Sequence, residues 1–252
     1  MRRVIVCGFA LLLWGCTGEP VPADPRQMEV LYRSPADSRA SSAAGSGFLS
    51  SDRGIAPVTP SSSSMPSSVL IDVPFSPQAP FALWDALHEE ACEEMSLLMV
   101  MHYILGEPLD RQGAEDRLQA LIAWEQERDF PDDVTVEQLA AIARERFGLS
   151  ASVRTDVTRE SLEGILRTGK PVIVPAAGRD LGNPFFSGDG PWYHMLVIIG
   201  YDKDHFIVND PGTRRGERYR YDKDILLTAI HDWTGVKETV REGRKAMLII
   251  EP

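Results

Sequence analysis

A cysteine, a histidine and a carboxylate or amide can open a peptide bond when a fold brings them together. The thiol attacks, the imidazole moves its proton, and the third group holds the ring in the right tautomer. This chain offers Cys92, His194 and the adjacent pair Asn209-Asp210 for those roles. Cys92 opens the run Met95, Leu97, Leu98, Met99, Val100, Met101, Tyr103, Ile104, Leu105, which is apolar nearly all round and predicts a helix buried in a domain. A cysteine at such a helix start is rigidly held. The first-turn N–H groups have no intrahelical partner and favour a thiolate there. Glu89, Glu90, Glu93 and Glu94 flank it and pull the other way, an effect that water and salt screen where the carboxylates are exposed.

The elements that must position these groups follow from local pattern. Residues 69–105 read as strand, loop and helix, stopped by Gly106-Glu107-Pro108. Helical spacing recurs over 109–127, and Thr135-Val136-Glu137-Gln138 has the capping-box spacing before a helix ending at Gly148. Beyond it, β-branched residues dominate: strands near 151–154 and 171–175 flank a helix over 159–167. Residues 176–193 hold too much Gly, Pro and Asn for regular structure, and a loop of that length is functional or disordered. Runs 194–200 and 205–210 form a hairpin about Tyr201 to Asp204. That turn places His194 and Asn209-Asp210 at one end as cross-strand or diagonal neighbours, with Cβ atoms about 5–8 Å apart. Nothing in the hairpin places them beside Cys92. A strand over 218–221, a helix capped by Asp222 and a strand over 246–250 complete an α+β fold, helices first and antiparallel sheet after.

Of 252 residues, 43% are hydrophobic and 25% charged, enough for one substantial core with length left for a tail. Arg2 and Arg3, a short apolar run and then Gly15-Cys16 read as a secretory signal too short to span a bilayer stably. Leu13-Trp14-Gly15-Cys16 resembles a bacterial lipobox, which implies lipidation at Cys16; Thr17 beside it favours the outer membrane in a Gram-negative host. Residues 1–16 are thus expected to be a signal with lipobox, 17–68 a disordered Ser/Pro-rich tether, and 69–252 the folded domain. About 50 tether residues span on the order of 40 Å, so the tether sets reach. Cys7 leaves with the signal and Cys16 carries lipid, so Cys92 is the free thiol of the mature chain, and an intrachain disulfide is excluded. Net charge is −11 and becomes more negative when the two arginines leave, which argues against a nucleic-acid partner.

The segments PFSPQAP, WD, CEEMSLLMVMHY, WYHMLVIIGYD and FIVNDPGTRRGERYRYD resemble the peptidase C39-like family, papain-related cysteine peptidases of bacteria of the double-glycine, bacteriocin-processing type. The resemblance runs from about Val69 to Glu251 and is to a standalone lipoprotein subgroup. It implies a papain-like fold, thiol protease activity without cofactor or metal, and a peptide or protein substrate. It implies a triad of Cys92, His194 and Asp210, with Gln78 supplying an oxyanion-hole amide. The pattern departs from many relatives at Cys92-Glu93, where they read Cys-Gly, and in a longer Gln78-to-Cys92 spacing.

Three other readings compete. His88-Glu89-Glu90-Ala91-Cys92 is close to the zinc motif H-E-x-x-H, and on one helix His88 and Cys92 would share a face. A papain-like module could hold peptide without cutting it, as relatives lacking the cysteine do. An acyltransferase or amidase could use the same triad. Trp192 and Tyr193 either cover the imidazole or merely pack; His102 reads as a core histidine, and His231 has no evident partner.

Overall fold

The computed structural model describes residues 66–252. The expected signal, Cys16 and most of the tether lie outside the described residues. Among those described, no helix is long and apolar enough to cross a membrane.

Strand β1 (Val69–Leu70) leads through an extended segment to α1 (Ala86–Glu89), whose first turn is capped by the Asp85 carboxylate accepting the His88 N–H. The chain breaks helical geometry at Glu90-Ala91 and restarts as α2 (Cys92–Leu105). Every residue of α2 from Cys92 to His102 is buried, as its all-round apolar pattern demands. Truncating a fully packed side chain here, such as Leu98→Ala, costs about 2–5 kcal/mol. Gly106 ends the helix at φ 65°, where its N–H reaches the carbonyls of His102 and Tyr103; a side chain would be strained in that left-handed geometry.

Asp110 caps α3 (Arg111–Gln126), and the Thr135/Gln138 capping box opens α4 (Val136–Phe147). Then come β2 (Ser150–Arg154), α5 (Arg159–Leu166), β3 (Val172–Ala177), a short 3₁₀ turn at Gly178–Leu181, β4 (Tyr193–Tyr201) and β5 (His205–Asn209). They are followed by β6 (Tyr219–Asp222), α6 (Lys223–Ala229) and β7 (Met247–Glu251). The seven strands form one antiparallel sheet in the order β2-β7-β3-β4-β5-β6, with β1 also paired to β4. Helix α2 packs on β4 and β7, α4 on β2 and β7, α5 on β3 and β4, and α6 on β3, β5 and β6. All residues of β3 and β4 are buried, so the sheet centre is covered on both faces, and these strands read as continuous apolar runs.

The hairpin turns where its sequence places it, with the Asp202 carboxylate accepting the N–H groups of Asp204 and His205. Its register differs from a simple cross-strand pairing. A bulge lies between Ile198 and Gly200, and the ladder ends at Val197 opposite Asn209. His194 therefore lies beyond the paired region, on a stretch of β4 that keeps β3 on one side and has no strand on the other.

Candidate active site

The open side of β4 is where the start of α2 arrives. Met195 N–H, without a β5 partner, donates to Cys92 Sγ at 3.2 Å. The thiol in turn donates to Glu93 Oε2 at 3.0 Å. Cys92 is buried; burial and then the Glu93 charge push its pKa well up, with Glu94 adding to the rise and Met195 N–H opposing it. These surroundings favour the thiol over the thiolate. Glu93 and Glu94 are buried rather than exposed, so the solvent screening expected for them is absent, whereas Glu89 is exposed and Glu90 half-buried.

His194 is the second residue of β4, paired with Ala176 of β3. Its Nε2 lies 2.7 Å from Asp210 Oδ1, which leaves Nδ1 as the ring nitrogen able to take a proton from sulfur. Phe186 covers the ring edge-on at 5.3 Å. Trp192 instead stacks under the Arg179 guanidinium, 3.6 Å away. Tyr193 packs on Trp233 and donates its hydroxyl to Val134 O, so neither neighbour shields the imidazole as Phe186 does. Gly212 passes against the other part of the ring: a Cβ there would sit 2.8 Å from His194 Cε1 and 2.9 Å from Phe186 Cε1.

Asp210 is wholly buried and accepts four hydrogen bonds: His194 and Gly212 N–H (3.0 Å) on Oδ1, Tyr221 Oη–H (2.6 Å) and Asn183 Nδ2–H (3.2 Å) on Oδ2. Burial raises its pKa, but the His194 charge and these donors outweigh it and hold the carboxyl below its ordinary value. Tyr221 is pushed up by burial and by the Asp210 charge, so it stays a donor. Asn183 also donates to Tyr221 Oη at 2.7 Å, tying the two supports together. Neither Asn183 nor Tyr221 stood out in sequence. Asn183 lies in the Gly/Pro/Asn-rich loop, and Tyr221 is one inward residue of an alternating strand. Asn209 faces away: its Nδ2 donates to the carbonyls of Val73 (3.0 Å) and Pro74 (3.4 Å), and its Oδ1 accepts Arg218 N–H.

Gln78 lines the same cavity as Cys92 and His194, and its backbone N–H donates to Pro211 O. Its side-chain amide donates to His88 O (2.8 Å) and Glu89 O (3.0 Å) at the end of α1, so both amide hydrogens are engaged. The cavity, about 920 Å³, is walled by Trp84, Phe185 and Phe186, with Glu89, Glu90 and Asp133 along it and Arg214 and Arg215 among the remaining lining.

The break at Glu90-Ala91 separates His88 from Cys92, contrary to the single helix that the zinc reading requires. The His88 ring lies between two carboxylates, Asp85 (2.7 Å) and Glu115 (3.1 Å), and among the described residues no group of three potential ligands is found. His102 is a buried core histidine; its pKa is lowered by burial and then by the Arg117 charge, with the backbone at Pro108 and Glu107 opposing. His231 does have a partner, Gly243 O at 2.8 Å from its Nδ1.

The model of the Peptidase_C39 like family matches residues 70–239, from β1 to the turn before β7. The chain belongs to this family. Two solved structures are similar to the C39-like domain. One is a protein from Bacillus anthracis named as a C39-like peptidase, 16% identical, covering 73% of this chain and 98% of that one, with a TM-score of 0.48. The other is the Carica candamarcensis cysteine protease CMS1MS2 in complex with E-64, 12% identical, covering 74% of this chain and 99% of that one, with a TM-score of 0.38. No curated protein matches the sequence.

Proposed function

We propose that this chain is a cysteine peptidase of papain-like type, exported and held to the cell envelope through a lipid on Cys16. The observation that carries the reading is the buried His194–Asp210 pair, whose imidazole lines the same cavity as Cys92 at its helix N-terminus. An imidazole whose Nε2 is bonded to a buried carboxylate is held in one orientation, and the carboxylate stabilises the imidazolium that forms as the ring takes the thiol proton.

Cys92 Sγ attacks the peptide carbonyl as His194 Nδ1 takes its proton. The carbonyl oxygen becomes an oxyanion at the N-terminus of α2, where the first-turn N–H groups have no intrahelical acceptor. His194 then passes the proton to the leaving amine, and water, deprotonated by the same ring, opens the thioester. Gln78 joins the oxyanion hole if substrate draws one amide hydrogen away from His88 O or Glu89 O.

One observation favours a second reading, a module that holds peptide without cutting it: the thiol proton is committed to Glu93 and the Gln78 amide is committed to carbonyls. Incubation of residues 66–252 with a peptide library, wild type beside Cys92→Ala, separates the two. Cleavage by the wild type and none by the variant is expected. Saturable peptide binding with identical, uncleaved products from both would establish the module.

A further inference from the structure

Glu93 follows the nucleophile in sequence, and its carboxyl folds back onto it. Oε2 is 3.0 Å from Cys92 Sγ, and Oε1 accepts Val134 N–H at 3.2 Å. The residue is wholly buried. A carboxylate in such a place ordinarily faces a cation. Here α2 itself presents Cys92 and Glu94, α3 presents Glu125, the segment entering α4 presents Asp133, and β4 presents Tyr193. Lys237 approaches Glu90 and Asp133. His194 lines the same cavity as Cys92 and can become positive.

With sulfur as the nucleophile, a negative Glu93 and a thiolate cannot coexist cheaply at this separation, because like charges in a low-dielectric site repel strongly. A neutral Glu93 removes that conflict and converts the carboxyl from acceptor to donor. Resting on the reading of Cys92 as nucleophile, we propose that Glu93 is a further catalytic residue: its protonated carboxyl donates to Cys92 Sγ and releases the thiol proton to His194, so the state of Glu93 decides whether the nucleophile is armed.

The step takes one proton from solvent. It bonds to a carboxylate oxygen of Glu93, whose O–H turns onto sulfur; the S–H bond breaks, its proton moves to His194 Nδ1, and the electron pair stays on sulfur. Burial and then the Glu94 charge push the Glu93 pKa well up, which favours this uptake. A site armed by uptake of a proton reacts faster as pH falls. A free thiol does the opposite.

The test is the rate of Cys92 alkylation by iodoacetamide against pH, on the folded domain. The wild type is expected to alkylate faster at pH 6 than at pH 8. Glu93→Gln places a neutral donor on sulfur permanently, so its rate at pH 8 should exceed the wild type's by about tenfold or more, one pKa unit being tenfold, with little slope between pH 6 and 8. A wild-type rate that rises with pH through one midpoint overturns the proposal, and this needs no variant to fold. A folded Glu93→Gln protein alkylated no faster than wild type at pH 8 overturns it too. Peptide turnover is scored separately: an inverted alkylation profile without turnover keeps Glu93 in its role and sinks the peptidase reading, whereas turnover with an ordinary thiol profile does the reverse.

Discussion

His194 Nε2 and Asp210 Oδ1 are 2.7 Å apart, with side-chain exposures of 2% and 0%. The ladder that carries both residues has already ended at Val197 and Asn209, so their contact is made by side chains reaching past the last backbone pair. Asp210 rather than Asn209 orients the ring, since successive residues face opposite ways and Asn209 is engaged with Val73 and Pro74.

Asp210→Asn should lower kcat by roughly two to four orders of magnitude, because an amide stabilises the imidazolium poorly and can favour the wrong tautomer. Asn209→Ala leaves two carbonyls and Arg218 N–H short of partners and should cost about 1–3 kcal/mol of stability while sparing turnover in the folded fraction. Peptide turnover and melting temperature on both variants check the division. Near-full turnover in Asp210→Asn would remove Asp210 from the triad.

Tyr221→Phe deletes the shortest of the four hydrogen bonds to Asp210. A bond to a charged group is worth about 1.5–3 kcal/mol, and its loss lets the Asp210 pKa rise. A carboxyl whose folded pKa lies below its unfolded value of 3.8 stabilises the fold above that value and ceases to as pH falls through the folded pKa. The melting temperature of Tyr221→Phe should therefore fall below wild type at pH 7, and the gap should narrow towards pH 2. An equal gap at both pH values would show that packing, not the carboxylate, is what the hydroxyl serves.

Gln78→Ala distinguishes a strut from an oxyanion donor. Losing the two bonds to His88 O and Glu89 O should lower the melting temperature, because α1 loses its fastening. If an amide hydrogen also moves to substrate, kcat should fall by about 10²–10³. Unchanged kcat with a lower melting temperature would confine Gln78 to the strut.

The anchor is tested apart from the chemistry. Mass spectrometry of the mature protein should find an acylated N-terminal Cys16. An unmodified terminus beyond it would dismiss the anchor and leave export standing.

Much of the frame was legible because its causes are local. Thr135 and Gln138 cap each other three residues apart, Gly106 ends a helix that apolar side chains surround, and Asp202 closes its own turn. The same holds for Cys92 at a helix start, where two or three neighbours settle the backbone. The resemblance carried in the segments around Cys92 and His194 is matched by the family model over 70–239. What the tertiary structure alone decided is what those residues touch. A bulge near Ile199 set the hairpin register, burial turned Glu93 onto the thiol, a helix break turned His88 towards Glu115, and Asn183 and Tyr221 met at Asp210 from a loop and an edge strand. Cys92 and Met195 N are 103 residues apart in sequence and 3.2 Å apart in space. No local propensity encodes such a contact, because its geometry depends on how α2 and β4 pack against each other and on which polar groups that packing leaves without water.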